Sequence, residues 1–145
     1  MDKEFVKYEQ ALALKELGFD EPCFGTWDRP DKLWTGNPVN GILDIPEDII
    51  LAPLYQQAFR WFREKYDLWC CIQKYPTSDN PKRCYYELKG DNINTDKDES
   101  PNSYMSGWFD SYEEAESVCL DKLIEICKNN YCHYSGLPST SSYDQ

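Results

Sequence analysis

The chain has 145 residues, 41% hydrophobic and 15% aromatic, which is room for one small core and too apolar for a chain disordered throughout. Fifteen Lys and Arg against 26 Asp and Glu give a formal charge of −11, which excludes a generally basic nucleic-acid binder. No apolar run reaches the roughly 18 residues of a membrane span, and Met1-Asp2-Lys3-Glu4 does not read as a secretory leader.

In chain order, the first predicted helix covers 3–17, with Phe5, Tyr8, Ala11 and Leu12 at helical spacing. Gly18 is its stop and Phe19 supplies the apolar contact beyond it. Residues 20–50 are punctuated by Pro22, Gly25, Pro30, Gly36, Pro38, Gly41 and Pro46, yet carry Phe24, Trp27, Leu33, Trp34, Ile42, Leu43 and Ile45. That mixture predicts an ordered, irregular wrap with at most short turns or strands. A second helix runs from Pro53 to Tyr66, its stripe made by Leu54, Ala58, Phe59, Trp61 and Phe62.

Three strands follow, at 68–75, 83–89 and 104–109. The first connection, 76–82, holds the turn chemistry TSDNP, and the second, 90–103, is polar and expected to be mobile. The third helix starts at Ser111, which forms a capping box with Glu114. Its buried face is Ala115, Val118, Cys119, Leu123, Ile126 and Cys127. The fold class is therefore α+β. An α-β-β-β-α unit over 53–128 holds a three-stranded antiparallel sheet with both helices on one face, preceded by the N-terminal helix and wrap over 1–50. One domain spans 1–134, and 135–145 is a flexible tail.

Strand alternation separates two sheet faces. Leu68, Cys70 and Ile72, then Cys84, Tyr86 and Leu88, then Met105 and Phe109 around Gly107, make the face assigned to the helices. The other face carries Trp69, Tyr75, Arg83, Tyr85, Lys89, Tyr104 and Trp108, and these seven are the candidate binding residues. Charge supports that choice. Residues 1–54 carry a net −6 and 91–145 a net −8, whereas 55–90 carry +3. Three occupants suit such a face: the apolar wrap of 20–50, a protein partner, since Trp, Tyr and Arg dominate interface hot spots, or a stacked nucleotide or single strand.

Seven cysteines, an odd number, read as reduced thiols and hence as a cytoplasmic protein. Cys127, Cys132 and His133 make the one local Cys/His cluster, and C-x4-C-H falls short of a zinc ligand set, so no metal or cofactor is assigned. Residues 91–100, DNINTDKDES, lack the central Gly and terminal Glu of a calcium loop. No nucleophile, phosphate-loop or metalloprotease motif is found, and no catalytic residue is assigned.

The order helix, three strands, helix over 53–128 resembles the topology of double-stranded-RNA-binding domains. Those domains place basic residues at the start of their last helix, where this chain has Glu113, Glu114 and Glu116. The carboxylates argue against duplex binding. The segments LALKELGFDEPCFG (12–25), APLYQQAFRWFREKYDLW (52–69) and SYEEAESVCLDKLIEI (111–126) resemble small uncharacterised acidic proteins of phages and prophages of gut Bacteroidales. That resemblance implies a phage or mobile-element accessory protein in the host cytoplasm and supplies no catalytic residue.

The reading that follows is a non-catalytic protein-interaction module that binds a host or viral protein. The alternatives are a nucleotide or single-strand binder using the aromatic face, and an acidic DNA mimic with an anti-defence role. No membrane partner is expected.

Overall fold

The computed structural model describes residues 2–36, 49–90, 93 and 102–130. These form two compact units, with the division between Trp61 and Phe62. The class is α+β, with two three-stranded antiparallel sheets. No described helix is long and apolar enough to cross a membrane.

In the first unit, helix α1 spans Tyr8–Glu16. The helix predicted from residue 3 starts later, because the chain around Phe5 is extended. Phe5 bridges Leu54 and the Val6 N–H donates to the Pro53 carbonyl at 3.0 Å. Gln10 then reaches back to accept the Lys7 N–H at 2.9 Å, closing the helix start. The end is as the sequence predicts. Gly18 takes φ 99°, its N–H donates to Lys15 O and the Phe19 N–H donates to Leu14 O, a Schellman arrangement that satisfies the last carbonyls. Phe19 is buried edge-on against Trp61 at 5.4 Å.

The described part of the wrap is a β-hairpin. Strand β1 (Gly25–Arg29) pairs with β2 (Lys32–Thr35) across Pro30-Asp31, and with β3 (Ile50–Ala52) on its other side. The hairpin packs within its own unit. The Trp27 indole N–H donates to the Val6 carbonyl at 3.0 Å and its ring meets Tyr8 edge-on. Gly25 is where β1 passes closest, since a Cβ there would lie 2.8 Å from the buried Phe5 ring and 3.0 Å from the Ala52 carbonyl. Residues 37–48, including Ile42, Leu43 and Ile45, lie outside the described residues.

Helix α2 (Tyr55–Tyr66) buries Tyr55, Ala58, Phe59, Trp61 and Phe62; of the stripe read from the sequence, Leu54 lies before the helix and is half-buried, and Tyr55 joins the rest. Its last residue is followed by Asp67 in the left-handed region, φ 54°, which turns the chain into the next strand. In the second unit, β4 (Trp69–Lys74), β5 (Cys84–Lys89) and β6 (Ser103–Met105) form a sheet in that order, all antiparallel. Helix α3 (Tyr112–Asn130) packs against β4 and β5. The Glu114 N–H donates to Ser111 Oγ at 3.1 Å, and the Glu114 carboxylate accepts the Asp110 N–H, so the predicted cap forms. Leu88, Cys119, Leu120 and Leu123 are fully buried between helix and sheet.

The third strand departs from the predicted alternation. Tyr104 pairs with Leu88 and Met105 with Glu87, which places Tyr104 on the helix side and Met105 outward, 59% exposed. The register then slips by one residue, because the next pair is Phe109 with Cys84. Ser106 marks the slip, where its N–H donates to the Tyr86 carbonyl and its Oγ accepts the Tyr86 N–H at 2.9 Å, standing in for a backbone carbonyl. This is a bulge at Ser106-Gly107, and the extra residue restores Trp108 to the outer face and Phe109 to the inner one. The predicted loop at 91–100 falls almost wholly outside the described residues, as do Cys132, His133 and the tail.

Candidate functional site

The outer face of the second sheet holds all the candidate residues but Tyr104, and the structure divides the set into three groups. The first is a cluster at the turn end of β4 and β5. The Tyr75 N–H donates to the Arg83 carbonyl at 2.7 Å, continuing the ladder one pair beyond the strands and setting both side chains outward. Tyr75 and Trp108 lie with ring centroids 4.7 Å apart, Tyr85 meets Trp108 edge-on at 5.6 Å, and Tyr75 meets Tyr85 at 6.4 Å. The Arg83 guanidinium sits 5.8 Å from the Trp108 ring centre. Tyr75 and Trp108 remain 52% and 54% exposed, so three touching rings present their faces and edges to solvent.

Polar side chains fix this cluster. The Tyr85 hydroxyl donates to Gln73 Oε1 at 3.1 Å, and Gln73 Nε2 donates to Glu87 Oε1 at 3.1 Å. Glu87 is thus the end of a cross-strand side-chain chain. The turn that carries the cluster is itself tied down. Thr77 and Asn80 exchange backbone hydrogen bonds, and Asn80 Nδ2 donates to Asp110 Oδ1 at 2.8 Å, joining the 76–82 turn to the start of α3.

The second group is Trp69 with Lys89, paired across β4 and β5 at the opposite end of the strands. Tyr75 lies six positions beyond Trp69, a span of roughly 20 Å along an extended strand, so Trp69 does not join the ring cluster. Its indole N–H donates to Asp67 Oδ1 at 2.8 Å, and Arg63 lies 5.4 Å from its ring centre. Trp69 is nonetheless 53% exposed.

Tyr104 forms the third group and is a correction. The bulge leaves it on the inner face, with its ring 6.1 Å from Tyr86 and Lys122 of α3 poised 4.7 Å over it. Burial, with the neighbouring Tyr104 hydroxyl, pushes the Tyr86 phenol well above its ordinary range. Tyr104 is therefore a packing residue. Met105, expected on the helix-covered face, takes the outward place expected of Tyr104. Met105, Gln73, Arg63 and Asp67 are contributors to this face that the candidate set left out, and Gly107 inside a strand pattern is the signal for the bulge.

The first unit holds one smaller feature, a recess of about 220 Å³ lined by Thr26, Trp27, Asp28, Trp34 and Ile49, with Lys32 over the Trp34 ring at 4.7 Å. The ring cluster offers π-faces, one guanidinium, an amide and a carboxylate, held by ring contacts and side-chain hydrogen bonds. Comparison with known proteins finds no matching family, no matching curated protein and no matching solved structure.

Proposed function

We propose that this chain is a non-catalytic intracellular interaction module, an accessory protein of a phage or mobile element, that binds a host or viral protein through Tyr75, Tyr85, Trp108 and Arg83. The observation that carries the reading is the ring cluster itself. Two of its rings are more than half open, and their geometry is fixed by mutual contact and by the Tyr85–Gln73–Glu87 chain. A rigid aromatic surface loses little conformational entropy on binding, which is why such residues dominate interface hot spots. Arg83 and the local +3 charge of 55–90 favour a partner segment that sets a carboxylate beside an apolar side chain. The six cysteines among the described residues are all free thiols, in keeping with a reducing cytoplasm.

The test is comparative capture from the native cell with the wild-type chain and with Trp108→Ala and Tyr75→Ala. A partner held by this surface is retained by the wild type and lost by both variants while their circular dichroism is unchanged. Partners retained equally by all three refute the assignment. The rings and Arg83 also favour a stacked nucleotide as the second reading. That reading requires Trp fluorescence quenching by nucleotides that weakens with salt and disappears in Trp108→Ala.

A further inference from the structure

An open sheet edge offers a row of unpaired backbone donors and acceptors, and most edge strands here are short. Strands β2, β3 and β6 have 4, 3 and 3 residues, and β6 runs into the bulge at Ser106. Strand β4 differs. It is the outer strand of the second sheet over 6 residues, Trp69–Lys74, in unbroken register with β5. It holds no Pro, no Gly and a single charge, Lys74.

The ladder fixes which of its backbone groups face the open side. The Tyr75 N–H donates to the Arg83 carbonyl, so every second residue before it, Gln73, Cys71 and Trp69, turns its N–H and C=O toward β5. The N–H and C=O of Cys70, Ile72 and Lys74 point away from the sheet, and among the described residues nothing takes them up. Both ends of this row are closed. Two positions before Cys70, the Leu68 N–H donates to the Phe62 carbonyl at 3.3 Å. Two positions after Lys74, Pro76 has no N–H to offer. The open row is therefore symmetric about Ile72.

We propose that β4 pairs antiparallel with β4 of a second copy of this chain, about a two-fold axis at Ile72, making one continuous sheet of the two second sheets. Ile72 faces Ile72 of the partner subunit, and Cys70 faces the partner subunit's Lys74. Each pair exchanges two hydrogen bonds, about six in all, so every open group of the row is used. No other symmetric register within β4 does this. A centre at Cys70 or Cys71 sets an open residue against Leu68, whose N–H is taken, and a centre at Gln73 sets Cys70 against Pro76. A centre at Lys74 opposes two like charges.

The same register matches the outer faces. Trp69 and Tyr75 stand at opposite ends of the strand, each more than half exposed. An axis midway between them brings Trp69 opposite the partner subunit's Tyr75, at the close spacing of a non-hydrogen-bonded pair, about 4.5 Å between Cα atoms. On the helix side, half-buried Ile72 meets its own copy, and the charge of Lys74 meets no like charge. This pairing does not depend on what the ring cluster binds, and it adds the partner subunit's Trp69 to that cluster.

The test is sedimentation velocity of the full chain, with backbone amide exchange by NMR on the same samples, over about 1–300 µM, since a two-strand seam is a small interface and its dimer reversible. A mass rising to twice that of the chain is expected. With it, exchange at Cys70, Ile72 and Lys74 slows by about tenfold or more at the high end. Ile72→Lys opposes two ammonium groups at the axis and weakens the dimer by about tenfold or more. Gln73→Cys sets its new thiol opposite the partner subunit's Cys71, and mild oxidation then links two chains far more readily than in wild type. A chain monomeric throughout the range overturns the proposal, as does a dimer whose three amides exchange no slower, or one that Ile72→Lys leaves intact. Slow exchange at those amides in a monomer also overturns it, because another part of the same chain then covers the edge. Should Ile72→Lys fail to fold, the wild-type mass and amides decide with the Gln73→Cys link.

Discussion

Replacing Ser106 by alanine removes the side chain that holds the bulge in the third strand of the second sheet. Ser106 Oγ accepts the Tyr86 N–H at 2.9 Å and donates to the Gly107 carbonyl at 2.8 Å. The Tyr86 side chain is buried, and alanine leaves its backbone N–H facing a methyl group. Leaving a buried donor unpaired costs about 1–3 kcal/mol, and partial access of water at this half-buried position puts the expected loss near the lower end, about 1–2 kcal/mol. Amide exchange at Tyr86, followed by NMR or mass spectrometry, then speeds up by roughly 5–30-fold. Ser106→Thr keeps the hydroxyl and its bond, and its exchange stays near the wild-type rate. Exchange unchanged in Ser106→Ala, or equally fast in Ser106→Thr, refutes the account of the bulge and with it the reason Trp108 faces outward.

Gly25→Ala places a Cβ against a buried ring and a carbonyl that cannot both retreat, and is expected to cost about 1–3 kcal/mol in urea unfolding. Asp67→Ala and Asp67→Gly both lose the bond to the Trp69 indole, so their difference isolates the left-handed backbone; thermal unfolding should show alanine the less stable by about 1–2 kcal/mol. Burial, with Glu21 nearby, pushes the Cys23 thiol up to about 12 from an ordinary 9.0. The folded chain thus keeps a proton that the unfolded chain releases. Its contribution to stability is complete below pH 9 and is lost as the pH climbs toward 12, by about 1.4 kcal/mol per unit. Cys23→Ala, compared with wild type across that window, should lack this part of the slope.

Much of the second unit was legible because its signals are local. The capping box at Ser111, the alternation of Cys84, Tyr86 and Leu88, and the turn at 76–82 each lie within a few residues, and each forms as read. The first unit was less legible for the converse reason. Strand β1 becomes a strand by pairing Gly25 with Ala52, and Phe5 is drawn out of the first helix by its bridge to Leu54. Pairings this distant in sequence leave no periodic trace, and Pro30 in the hairpin turn reads locally as a break. At the candidate site, one inserted residue decided the outcome. Alternation counted through a bulge is right on one side of it only, and here the count that suits Trp108 and Phe109 inverts the positions before Ser106. Hence Trp108 was placed correctly, while Tyr104 and Met105 were exchanged.

The most direct measurement is the affinity of the captured partner for Trp108→Ala against wild type, titrated by calorimetry at physiological salt. Trp108 offers 54% of its surface, roughly 130 Å², which at about 25 cal/mol per Å² corresponds to about 3 kcal/mol when fully covered. A hot-spot loss of at least about 2 kcal/mol is predicted, a dissociation constant some 30-fold weaker or more. A constant within twofold of wild type, with the variant folded, contradicts the assignment of this surface.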